Sequence, residues 1–139
     1  VDFSTSALAH ARSTAEAVGS NIAERIDWVE GDLATWIPQS GHYDVVACLY
    51  VHVAGSVAEM VRRMADGVAP GGTLFMVGHR PVDPATGTAT AAAGQVQVSV
   101  DDAVAALDAR HWELVVAEDR PRAAAGTGVD AVIHARRRS

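Results

Sequence analysis

Two aspartates and two histidines stand where an α/β protein does chemistry. Asp2 lies in the apolar stretch Val1 to Phe3 and is followed by Ser4, a good helix N-cap, with Leu8, Ala11, Ala15 and Val18 behind it at helical spacing. An acid at the C-terminal tip of a strand, just before a helix, is where a parallel sheet holds a ribose through its hydroxyls. The same placement also suits a plain electrostatic complement to the helix dipole. Asp32 follows Gly31 at the end of a second short strand, Ile26 to Glu30, which brings it to the same edge. A carboxylate there accepts from an exocyclic amine while a neighbouring backbone N–H meets a ring nitrogen; alternatively, the Gly-Asp pair is only a turn. Together the two acids can bracket a nucleoside. His52 and His79 each fall just beyond a strand end, where an imidazole can take a proton from a hydroxyl or an amine, or simply occupy a surface loop.

The elements that must position these residues follow from hydrophobic spacing. Gly19 closes the first helix in the left-handed cap position, and the polar stretch Pro38 to Gly41 leads into the apolar run Tyr43 to Tyr50, which reads as a central strand covered on both faces. Val57, Met60, Val61, Met64 and Val68 mark one face of a helix that stops at Pro70-Gly71-Gly72, before another apolar strand, Thr73 to Val77. Consecutive parallel strands need crossovers, so this order predicts a parallel α/β sheet. The Pro-, Gly-, Thr- and Ala-rich stretch Arg80 to Ser99 has the length of a loop that covers a site. Ser99 then caps a short helix carrying Val104 and Leu107. The strands Trp112 to Glu118 and Val129 to Ala135 follow, joined by Ala123 to Gly128 with no helix between, so they should pair antiparallel.

Composition narrows the class. The 139 residues are 49% hydrophobic and 20% charged, enough for one domain with a real core and too few for two of ordinary size. Net charge is −6, and the only dense basic run is Arg136 to Arg138, which argues against a duplex nucleic-acid binder. The single Cys48 has no internal disulfide partner and lies in the apolar run, so a reducing, cytoplasmic setting is expected. No apolar run approaches the ~20 residues of a membrane span, and no charged-then-apolar leader opens the chain. His10 and His42 lie in solvated contexts, and His111 and His134 lack acid or thiol partners at ligand spacing, so no metal site is expected.

The order Val-Asp-Phe-Ser, Gly-Asp-Leu, Tyr-Asp-Val-Val and Ala-Pro-Gly-Gly-Thr-Leu, with a closing antiparallel pair, resembles the layout of class I S-adenosylmethionine-dependent methyltransferases of the small-molecule type. The resemblance runs from Val1 to about Arg137. It implies a Rossmann-like, mostly parallel sheet with helices on both faces and a C-terminal antiparallel pair, the whole of 1–139 being the C-terminal part of a single methyltransferase domain. It also implies cofactor-binding roles: Asp2 for the ribose hydroxyls, Phe3 against the adenine, Asp32 for the adenine amino group with the Leu33 N–H beside it, and Leu49 and Tyr50 at the methionine end. His52 and His79 are then the candidate catalytic bases for a small-molecule acceptor, with S-adenosylhomocysteine as product. Leu49-Tyr50-Val51-His52 lacks the Asn/Asp-Pro-Pro-aromatic motif of enzymes that methylate planar nitrogens in nucleic acids and protein glutamine.

One departure matters. The family's first strand and its Gly-x-Gly loop would precede Val1, and in the family order 3-2-1-4-5-7-6 that strand is central. Its absence exposes two sheet edges at a cost exceeding the ~5 to 15 kcal/mol by which a domain is stable. Activity of these residues alone is therefore not expected unless a preceding segment or another chain completes the sheet. Two other readings stay open: a nicotinamide-dependent Rossmann oxidoreductase, in which an acid after the second strand also binds ribose, and a non-catalytic fragment that associates through open edges.

Overall fold

The computed structural model describes every residue except 53, 84, 91, 93 and 123–127. It divides into two units, Val1–Trp36 and Ile37–Ser139.

In the first unit, Ser4 accepts the Ala7 N–H at 3.2 Å and starts helix α1, Thr5–Val18. Only Ala15 of its apolar stripe is buried, and Val18 stays 66% exposed. Gly19 ends the helix at φ 157° and ψ 139°, a positive-φ conformation open to glycine but outside the left-handed helical one, its N–H reaching the Ala15 carbonyl, and a four-residue helix, α2, Ser20–Ala23, continues from it. The strand expected over Ile26 to Glu30 is reduced to one parallel bridge, Asp2 to Glu30, flanked by Asp2 N–H to Val29 O and Gly31 N–H to Asp2 O, both at 3.1 Å.

The second unit is a four-stranded sheet in the order β1-β2-β4-β3: β1 Tyr43–Leu49, β2 Val68–His79, β3 Trp112–Pro121 and β4 Val129–Arg137. The β1–β2 pair is parallel and the other two are antiparallel, as the missing crossover before β4 requires. Helix α3, Val57–Asp66, provides that first crossover, and Ser56 caps it by accepting the Glu59 N–H. Its buried residues Val57, Met60, Val61 and Met64 are the stripe seen in the sequence. Helix α4, Val100–Ala106, starts from a capping box in which Ser99 and Asp102 each satisfy the other's backbone N–H. It buries Ala103 and Leu107, while Val104 is 45% exposed.

Helices α3 and α4 pack on each other and on β2, β3 and β4. Beneath them Leu74 and Met76 of β2 meet Ala131, Ile133 and Ala135 of β4, all fully buried. The alternate residues Phe75, Val77 and His79 face the other way and are half-buried. Strand β1 departs from the sequence reading: it lies at the sheet edge, so only Cys48 is buried while Val45 is 61% and Leu49 53% exposed. Strand β2 begins earlier than expected, at Val68, and absorbs Pro70-Gly71-Gly72 as an irregularity in register against β1. The connection Ala123 to Gly128 lies, but for its last residue, outside the described residues.

Candidate functional site

The acids of the first unit each use one carboxylate oxygen locally. Asp2 Oδ1 accepts the Ser4 N–H at 2.7 Å and Asp32 Oδ1 accepts the Ala34 N–H at 2.8 Å, so each tightens the turn that leaves its strand segment. The second oxygen of each has no hydrogen bond among the described residues. Because Asp2 and Glu30 are bridge partners, Asp2 and Asp32 come to the same end of two adjacent parallel segments. Phe3, beside Asp2, is 75% exposed, and Leu33, beside Asp32, is half-buried. A pair of carboxylates with one acceptor oxygen each, next to an exposed ring, fits the polyhydroxyl and amino groups of an adenosine.

In the second unit, the C-terminal ends of the parallel pair β1–β2 carry a linked polar cluster, the end at which α/β sheets bind ligands. Tyr50 leaves β1 with φ 57°, the only described non-glycine residue in the left-handed region, and its N–H donates to Val77 O at 2.8 Å. That backbone turn stacks its ring against the His79 ring, with centroids 4.2 Å apart. Leu49 precedes it on the exposed edge. His79 ends β2 directly opposite Asp130 of β4, and its Nδ1 lies 2.8 Å from Asp130 Oδ1. The Tyr50 hydroxyl donates to Asp130 Oδ2 at 3.2 Å. Arg122, just after β3, donates from Nε to both oxygens at 3.2 and 3.1 Å and from Nη2 to Oδ1 at 3.0 Å.

Asp130 is thus a buried carboxylate, 6% exposed, with donors on both oxygens. Burial works to raise its pKa, but the hydrogen bonds from Arg122 and His79 outweigh it and hold the group below its ordinary value. Tyr50 moves up, first through desolvation and then through the Asp130 charge and the hydrogen bond that retains its proton. On the other side of His79, its backbone N–H donates to Gln97 Oε1 at 2.8 Å, and Gln97 Nε2 lies 2.9 Å from His52 Nε2. Gln95 Oε1 stands 3.0 Å from that same His52 nitrogen. Gly78 makes this possible: a Cβ there would fall 2.5 Å from Val98 O, so only glycine lets the 95–98 segment pass close enough to place Gln97.

The structure therefore brings Tyr50, His52 and His79 into one hydrogen-bonded group, and brings Asp2 and Asp32 to one edge. Sequence reading missed Asp130, Arg122, Gln95 and Gln97. Asp130 enters through the antiparallel register of β2 and β4, which no local motif encodes; the two glutamines come from the stretch read as a loop that covers a site.

A family model described as a methyltransferase domain matches residues 1–72. No curated protein matches the chain. Among solved structures, the cyclase SpnF is similar with a TM-score of 0.70 at 15% identity, over 98% of this chain and 64% of that one. An S-adenosylmethionine-dependent methyltransferase from Mesorhizobium loti gives 0.67 at 19% identity, over 97% and 78%. The 1,6-didemethyltoxoflavin-N1-methyltransferase of Burkholderia thailandensis, solved with its substrate and S-adenosylhomocysteine, gives 0.56 at 15% identity, over 89% and 56%. The chain thus spans less than two thirds of the length of SpnF and of the Burkholderia enzyme. With the matched sequence covering more than half of its residues and the sheet order of its second unit in place, the chain belongs to the methyltransferase-domain family and has the fold of the class I S-adenosylmethionine-dependent enzymes.

Proposed function

We propose that this chain is the C-terminal part of a single methyltransferase domain that transfers a methyl group from S-adenosylmethionine to a small-molecule acceptor. The observation that carries this reading is the pair Asp2 and Asp32, each with one carboxylate oxygen tied into a turn and the other without a hydrogen bond among the described residues, at one end of adjacent parallel segments. Asp2 holds the ribose hydroxyls, Phe3 lies against the adenine, and Asp32 and the Leu33 backbone take its polar edge. Leu49 and Tyr50 line the methionine end, and the histidines at positions 52 and 79 are the candidates for accepting a proton. S-adenosylmethionine supplies an electrophilic methyl on a sulfonium, so the protein's part is to position two reactants and exclude water. The open β1 edge supports pairing with a further strand, from this protein or from a second copy. Among the described residues no helix is long and apolar enough to cross a membrane, and a cytoplasmic setting belongs to the same reading.

Because a neighbour of this fold is named as a cyclase, binding and transfer need separate tests. Calorimetric titration of the full chain with S-adenosylhomocysteine should show binding, and Asp2→Ala should weaken it by about tenfold or more, the cost of losing charge-assisted hydrogen bonds. Binding of NAD with none of S-adenosylhomocysteine would overturn the proposal in favour of an oxidoreductase.

A further inference from the structure

The two histidines differ in what their ring nitrogens are already doing. Gln97 is the reference point, because accepting the His79 backbone N–H through Oε1 makes its Nε2 a donor. One Nε2 hydrogen goes to Gln95 Oε1 at 3.0 Å and the other to His52 Nε2 at 2.9 Å. An accepting nitrogen carries no proton, so neutral His52 holds its proton on Nδ1 and has its only lone pair engaged. Placing a proton on His52 Nε2 to reach Gln95 Oε1 would set two donors face to face across the Gln97 contact.

His79 is the opposite case. Its Nδ1 lies 2.8 Å from Asp130 Oδ1 and 2.6 Å from Arg122 Nη2, and those two atoms are 3.0 Å apart, a near-equilateral triangle. Arg122 Nη2 already donates to Oδ1, and the hydrogens of a guanidinium nitrogen fork too widely to serve both other corners. A bare Nδ1 lone pair would face the carboxylate, whereas Nδ1–H makes a charge-assisted bond to it. Asp130 is also the better held partner, with its side chain 8% exposed against 37% for Arg122. The Nδ1 proton therefore belongs to the Asp130 bond. His79 Nε2 keeps an unengaged lone pair, since no hydrogen bond reaches it among the described residues, and the side chain is 25% exposed.

Resting on the methyl-transfer reading, we propose that His79 is the general base of this chain, that Asp130 is the positioning residue fixing its tautomer, and that His52 does not take the proton. The acceptor is then a hydroxyl or a protonated amine. Its proton passes to His79 Nε2, and the imidazolium formed rests against Asp130. The acceptor's oxygen or nitrogen takes the methyl, and the C–S bonding pair stays on sulfur, leaving a neutral thioether. The charged and titratable groups facing His79 are Asp130 from β4, Arg122 from the end of β3 and Tyr50 from the end of β1, with His52 reached through Gln97.

Nitrogen-15 NMR of the full chain reads this directly, with His79→Gln and His52→Gln assigning the two rings. Wild type should show His79 protonated at Nδ1 and bare at Nε2. Asp130→Asn should convert it largely to the Nε2–H form, since the charge-assisted bond that holds the Nδ1 proton is lost; Asp130→Glu should restore the Nδ1–H form. A wild-type His79 in the Nε2–H form, or an Asp130→Asn variant with unchanged tautomer, overturns the proposal. Should Asp130→Asn fail to fold, Arg122→Gln answers the same question: an unchanged tautomer supports Asp130 as its source, and a switch overturns it. Diethyl pyrocarbonate, which acylates a bare imidazole nitrogen, should label His79 faster than the more exposed His52; the reverse order overturns the assignment of roles. S-adenosylhomocysteine calorimetry separates the two levels. With the sheet completed by a preceding segment or a partner chain, binding with the wrong His79 tautomer sinks only the base assignment, and no binding sinks the methyl-transfer reading whatever the tautomer.

Discussion

Asp130 concentrates the energetics of the polar cluster on one side chain. It accepts from Arg122, His79 and Tyr50 while 6% exposed, and its pKa is lowered by those bonds against the pull of burial. A carboxylate whose folded pKa lies below its unfolded value stabilises the protein above the ordinary carboxylate range, and the contribution fades as pH falls through the folded value. Asp130→Asn should therefore lower stability by about 2 kcal/mol at pH 7, the worth of hydrogen bonds to a charged group. Urea unfolding should show that gap narrowing as pH falls below the ordinary carboxylate range and the wild-type group protonates; a gap of the same size at neutral pH and in acid would contradict an ionised Asp130. Cys48 behaves otherwise. Burial pushes its thiol up to about 11, so it stays protonated near neutral pH and serves as packing. Of the site residues, Asp2, Asp32, His52 and His79 were legible because each follows an apolar run. Asp130 and Arg122 were not, because they meet His79 only through pairing across 51 and 43 residues.

At the scale of elements, hydrophobic spacing located α3 and its buried face, since a 3.6-residue stripe needs no tertiary information. The same reading took β1 as covered on both faces, because an apolar run reports what a strand can tolerate and not which neighbours it has; among the described residues it pairs with β2 alone, on an edge of the kind expected where the family's first strand is missing. Energetic contrasts follow from burial. Met64→Ala, at a side chain that is 2% exposed, should cost about 2 to 5 kcal/mol, while Val104→Ala, at 45% exposure, should stay within about 0.5 kcal/mol in the same denaturant titration. Comparable losses at the two positions would mean that α4 does not present Val104 to solvent. Gly78→Ala should also destabilise, since its Cβ would press on the backbone of Val98. It should disturb the His52 and His79 resonances as well, because Gln97 lies on the displaced segment.

Across the whole molecule, the two units differ in how their backbones are held. The second carries a continuous four-stranded ladder over a buried core, whereas in the first the segment after α2 is tied to its neighbour by one bridge. Native-state hydrogen exchange should find the amides of β2 and β4 the slowest and those of residues 24–31 among the fastest; uniform protection would contradict that hierarchy. The sheet order has a further consequence for how the chain comes off the ribosome. Strand β4 is an inner strand, bonded to both β2 and β3, yet it follows both of them in the chain. Leu74 and Met76 cannot meet Ile133 until residues 129–137 have emerged, so a nascent chain carries β2 with that side unpaired until then. Cellular quality control would meet these strands first as an open two-stranded edge and as a closed sheet only once β4 has emerged.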